Sequence, residues 1–165
     1  MNCNAVVAVK DGDKLFVIDE ITKQNDTDAL AQEIKRRYPN NKILVYPDAS
    51  GAARSTINAS KTDIAILESY GFSSMALRSN PPIKDRVQTL QALLENSKGW
   101  VRLAIHARCR RLVECLELQS YDEKSGDPDK QNGYDHLNDA LGYLVYREFN
   151  IIHARAGRRT GIRIY

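Results

Sequence analysis

Lys42-Ile43-Leu44-Val45-Tyr46-Pro47-Asp48-Ala49-Ser50-Gly51 is an apolar run that stops at an aspartate followed by small residues. Its β-branched and aromatic centre, bounded by turn residues, reads as a strand over Ile43 to Tyr46 buried on both faces. Asp48 then stands at the strand's carboxyl end, where ligands bind in open α/β sheets, and Ala49, Ser50 and Gly51 leave room for a phosphate or a metal to approach the backbone. The same aspartate also reads as a turn or helix-capping residue.

A second stretch, Gly133-Tyr134-Asp135-His136-Leu137-Asn138-Asp139-Ala140-Leu141-Gly142-Tyr143, opens a long amphipathic helix. Asp135 and Asp139 are four residues apart and lie one above the other, with Leu137, Leu141, Leu144 and Val145 on the opposite, apolar face. Stacked carboxylates repel unless a positive group lies beside them, although an N-cap Asp135 and a first-turn Asp139 would suit the helix dipole alone.

Outward from these two stretches the chain alternates strands and helices. Ala5 to Val9 and Leu15 to Ile18 form a hairpin about Asp11-Gly12-Asp13, and Asp19 and Glu20 read as its charged end. Asp26 or Thr27 caps a helix through Arg37, and Pro39 ends it; the crossover lays the Ile43 strand parallel to an earlier one. Asp63 to Tyr70 form a helix closed by Gly71, and Phe72 to Leu77 a strand. Asn80-Pro81-Pro82 enters a helix through Glu95 with Val87, Leu90, Leu93 and Leu94 facing the core. Trp100 to Ile105 read as a short strand, and Arg108 to Leu118 as a helix with Leu112, Val113, Cys115 and Leu116 near its buried side.

The 165 residues suit one domain with a full core, and no run approaches the ~18 apolar residues of a membrane span. Lys+Arg exceed Asp+Glu by only 24 to 21, so the position of the charge says more about partners than its sum. Arg54, Ser55, Asn58, Ser60 and Lys61 follow the presumed site and suit a phosphodiester backbone or a solvated loop. Arg102, Arg108, Arg110 and Arg111 crowd one segment and read as a backbone-binding patch or a solvated face. Residues 123–132 have a loop's composition, and residues 151–165 form a basic tail carrying Arg155, Arg158, Arg159 and Arg163. Cys3, Cys109 and Cys115 are an odd count without a CxxC pair, which suits a reduced, cytoplasmic chain; their spacing to His106 fits no common zinc site.

Four stretches in this order carry a resemblance: Val45-Tyr46-Pro47-Asp48-Ala49-Ser50-Gly51, Asn80-Pro81-Pro82-Ile83-Lys84-Asp85-Arg86-Val87, Ile105-His106-Ala107-Arg108-Cys109, and Asp135 through Tyr143. Together they resemble the nuclease domain of the large terminase subunit of tailed bacteriophages. The resemblance implies an α/β, ribonuclease H-like fold, a mixed central sheet flanked by helices, over residues 1–150, with 151–165 as the tail. It implies cleavage of concatemeric double-stranded DNA by a two-metal mechanism using Mg2+ or Mn2+, in the cytoplasm of an infected or lysogenic bacterial host. The terminase small subunit and the portal or procapsid are the implied partners, and no membrane is. Asp48 matches the family's second acidic position; Asp135 and Asp139 are both candidates for the last.

The resemblance also places a first acid on a strand ahead of the hairpin, where this sequence has Met1-Asn2-Cys3-Asn4 and no aspartate. It thus implies an N-terminally incomplete domain lacking one ligand and one central strand, with two strand edges left unpaired. A non-catalytic module of the same fold, binding DNA or the procapsid, is the alternative, and a junction resolvase a third reading.

Overall fold

In the computed structural model, residues 3–52, 62–122, 128–129 and 133–149 are described. Arg54, Lys61, most of the 123–132 loop and the basic tail lie outside them.

Strands β1 (Cys3–Asp11) and β2 (Lys14–Gln24) form the hairpin, and Gly12 takes a left-handed φ of 57° in its turn. Residues of β2 alternate between buried and open positions, but the pairing steps from Val7 opposite Asp19 to Ala8 opposite Val17, passing over Ile18. This irregularity exchanges the faces. Leu15 and Val17 join one core cluster, Ile21 another.

The short strand β5 (Leu103–Ile105) lies parallel to β2 and completes a three-stranded sheet in the order β1-β2-β5. A second, two-stranded parallel sheet pairs β3 (Leu44–Val45) with β4 (Ser73–Ser74). Among the described residues no strand lies along the outer edge of β1 or the free edge of β3. Residues flanking both edges, Ala5 and Val7 on β1 and Ile43 and Val45 at β3, pack against the same cluster of Ile21, Ala31, Ile34, Leu67 and Phe72.

Helices cover the two faces. Helix α1 (Thr27–Arg37) begins at Asp26, whose carboxylate accepts from the Ala29 N–H, and buries Ala31 and Ile34 beside α2 (Asp63–Ser69). Helices α3 (Ile83–Leu94), α4 (Arg110–Leu118) and α5 (Asp135–Phe149) enclose the other cluster, built from Leu15, Val17, Leu90, Leu93, Leu103, Leu112, Leu137, Leu141 and Val145. Leu141 is fully buried. Leu141→Ala is expected to cost about 2–5 kcal/mol, measured by urea denaturation.

Several expectations are corrected. Leu44 is exposed, because only Ile43 and Val45 turn toward the apolar cluster. Strands β3, β4 and β5 are shorter than their apolar runs, and Trp100 and Val101 are exposed ahead of β5. Leu94, at the end of α3, is also exposed. Asp19 and Glu20 do not end a strand; they lie inside β2 and serve two helices.

The Asp19 carboxylate accepts from Arg37 Nη1 at 2.8 Å, Tyr38 Oη at 3.0 Å and the Glu20 N–H at 3.0 Å. Glu20 accepts from the Arg111 and Leu112 N–H groups at 3.0 and 2.7 Å and so caps α4, whose own N-cap Cys109 makes no side-chain hydrogen bond. Burial pushes the Asp19 carboxyl up, but the Arg37, Tyr38 and backbone hydrogen bonds outweigh it and hold the group below its ordinary value. A carboxyl more acidic when folded stabilises the fold above its unfolded pKa of about 4 and loses that contribution as pH falls through the folded value. Acid titration of stability should therefore be shallower in Asp19→Asn than in the parent chain, followed by circular dichroism.

Candidate active site

β3 ends at Val45, and Asp48 follows three residues beyond its carboxyl end, before a short 3-10 helix at Ala49–Ala52. The Asp48 carboxylate is held from three sides. Its Oδ1 accepts from the Ser50 N–H and from Asn80 Nδ2, both at 2.7 Å, and its Oδ2 accepts from Tyr143 Oη at 2.9 Å. Asn80 in turn accepts from the Ala49 N–H at 2.8 Å, so a single amide stitches the loop before α3 to the loop after β3. Burial opposes the charge on Asp48, but the Ser50, Asn80 and Tyr143 hydrogen bonds prevail and hold its carboxyl below the usual range. The Tyr143 phenol is pushed up, by burial first and then by its bond to Asp48. Asp48 is thus an anion at neutral pH and Tyr143 a fixed donor.

Helix α5 carries the rest of the site on one stripe. Asp135, Asp139 and Tyr143 recur every four residues, the spacing that stacks side chains along a helix. Arg86, from the first turn of α3, lies between the last two. Its Nη1 donates to Asp139 Oδ1 at 2.6 Å, and its guanidinium carbon sits 4.5 Å from the centre of the Tyr143 ring. One chain of contacts therefore runs from Asp48 through Tyr143 and Arg86 to Asp139.

Asp135 stands apart from that chain. It lies about 12 Å of helix rise from Tyr143, against about 6 Å for Asp139. It is 6 % exposed, because α5 is packed against α3, α4 and β1. Its Oδ1 is buried without a hydrogen-bond partner, and His136 Nδ1 is 3.7 Å away.

Among the arginines of the suspected patch, Arg110 heads α4 and is exposed, and Arg108 is exposed, with its backbone and side-chain N–H groups turned to His106 Nδ1. Arg111 pairs with Glu114 at 2.7 Å and stacks on Tyr134, and Arg102 lies over Phe149 with a buried, unpartnered Nε. Two of the four are thus partly committed within the fold. Cys109 and Cys115 are buried core residues with free thiols.

Sequence reasoning quoted Asn80, Arg86 and Tyr143 within its motifs but assigned them no role. The i+8 spacing of Tyr143 from Asp135 was the signal that could have found it. A small cleft lined by Tyr46, Met75, Leu77, Asn80, Tyr143 and Arg147 borders two of the groups that hold Asp48.

The donors suit a hard divalent cation in kind: all are carboxylate oxygens, Asp48 is anionic, Asp139 already holds a positive group, and Asp135 keeps a buried oxygen unpaired. Among the described residues no three acidic, histidine or cysteine side chains converge into one metal cluster. No helix among them is long and apolar enough to cross a membrane.

A family model described as the terminase RNaseH-like domain covers residues 1–148 of the 165, while no curated protein and no solved structure matches. The mixed three-stranded sheet and the helices flanking it agree with that match, and the chain belongs to the terminase RNase H-like domain family.

Proposed function

We infer that this chain is the endonuclease domain of a phage DNA-packaging terminase large subunit, spanning residues 1–150, and that it hydrolyses phosphodiester bonds of concatemeric double-stranded DNA with Mg2+ or Mn2+ in a two-metal site. The observation that carries the reading is the network joining Asp48 to Asp139 through Tyr143 and Arg86, at the end of a strand and beside a cleft. Asp48 and Asp139, with Asp135 as a further oxygen donor, would hold the cations, which when bound would activate the attacking water and neutralise charge on the phosphate and the leaving oxygen.

The protein's own groups prepare that chemistry. Asn80 and the Ser50 N–H hold the Asp48 carboxylate ionised and fixed in orientation, which removes the reorganisation a free carboxylate would need. Tyr143 ties the strand end to α5, so both acids keep one spacing. Arg108 and Arg110 are the exposed cations that contact the DNA backbone, assisted by Arg102, Arg111, Arg54 and Lys61; the small subunit and the portal are the packaging partners.

Nicking of supercoiled plasmid tests the reading. Cleavage that requires millimolar Mg2+ or Mn2+ and vanishes in chelator supports it. DNA binding that falls steeply with salt, with no product under any metal, overturns it in favour of a binding module.

A further inference from the structure

We propose that Arg86 is the resident counter-ion of the acidic site: its guanidinium holds Asp139 and Tyr143 in place when no divalent cation is bound, and it releases Asp139 when one enters. The inference rests on the metal-dependent reading above and concerns a residue that reading leaves without a task.

Arg86 is 5 % exposed, an unusual position for an arginine. Its stem lies along α5 at Gly142, where a Cβ would meet Arg86 Cβ, Cδ and Nη1 at 3.5 to 3.7 Å. The guanidinium makes one ion pair, to Asp139, and one ring contact, to Tyr143, while its Nε is buried with no partner. A guanidinium presents five N–H donors, and one serving purely to hold a fold would be expected to have its buried donors met. Here the charge is matched and the donor set is not.

The location supplies the reason. Asp48 accepts from the hydroxyl of the ring on which Arg86 sits, so the guanidinium lies between Asp139 and the Tyr143–Asp48 hydrogen bond. A divalent cation on Asp139 competes with Arg86 for the charge of the one carboxylate and repels the guanidinium directly. Cation binding and the Arg86–Asp139 pair are therefore coupled with negative sign, and the coupling is reciprocal: whatever weakens the pair strengthens the cation.

Two measurements test this. In the 15N-arginine-labelled wild-type chain, titration with Mg2+ alone should shift the Arg86 Nε–H resonance, assigned with Arg86→Lys, with the same midpoint as the Mg2+-dependent rise in Tm. In Arg86→Gln the metal-free Tm should fall, and Mg2+ should bind on the order of tenfold more tightly. A Tm rise with Mg2+ that is lost in Asp48→Asn, together with an unmoved Arg86 resonance, overturns the counter-ion role and leaves the nuclease reading intact. So does an Arg86→Gln chain that binds Mg2+ no more tightly than wild type. Absence of any Mg2+ effect in the wild type overturns both. Should Arg86→Gln fail to fold, the wild-type resonance decides.

Discussion

Asp48→Asn is expected to reduce Mg2+-dependent nicking by at least about 100-fold, since even residues that merely orient a metal's ligands are worth 10- to 100-fold and Asp48 is proposed as a ligand itself. The substitution is nearly isosteric. An asparagine there still offers its amide oxygen to the Ser50 N–H, so the loop before the 3-10 helix keeps its anchor. What disappears is the negative charge, together with one acceptor oxygen: the amide oxygen still accepts from Asn80, but the new amide nitrogen cannot accept from Tyr143 as Oδ2 of the carboxylate does. The variant should therefore fold, bind DNA with unchanged salt dependence and fail in chemistry. Parallel measurement of nicking, DNA affinity and Tm separates these effects. Nicking at the wild-type rate by Asp48→Asn would remove Asp48 from the site.

Asp139→Ala is expected to destabilise the chain by about 3 kcal/mol, the lower end of the penalty for orphaning a buried charge. Arg86 would keep its positive charge at 6 % side-chain exposure with no carboxylate beside it, whereas Asp139 itself is 32 % exposed, so solvent already screens part of the pair. The loss comes from the stranded guanidinium more than from the missing attraction. Combining Asp139→Ala with Arg86→Met should for that reason restore most of the stability, because an apolar pair leaves no charge to solvate. Urea denaturation of the two single variants and the double variant gives the coupling energy directly. A double variant no more stable than Asp139→Ala would show that the stem and ring contacts of Arg86, and not its charge, hold α3 against α5.

The elements written in short windows of sequence came through with little change. Asp11-Gly12-Asp13 turns the hairpin because glycine accepts the positive φ, Asp26 caps α1 through its own side chain, and the period of Leu137, Leu141 and Val145 marks the buried face of α5. Asp48 at a strand end and the four-residue spacing of Asp135 and Asp139 were equally visible. Glu20 was not: it looks like the end of a strand until the N–H groups of Arg111 and Leu112, about ninety residues later, arrive to use it. Asp19 was read the same way, because its partners Arg37 and Tyr38 sit on the following helix.

The acids themselves show where local reading stops. The sequence by itself determined that three aspartates were available, one behind a strand and two on a helix, and in an order specific enough to name a family. Which of the helical pair joins the contacts that lead to Asp48 emerges only from the packing of α3 on α5. That packing brings Arg86 to Asp139 across 53 residues and Tyr143 to Asp48 across 95, and leaves Asp135 buried one turn away. Propensity and periodicity act over a turn or two of chain, whereas charge pairing between distant segments exists only once the apolar faces have closed and removed the water between them.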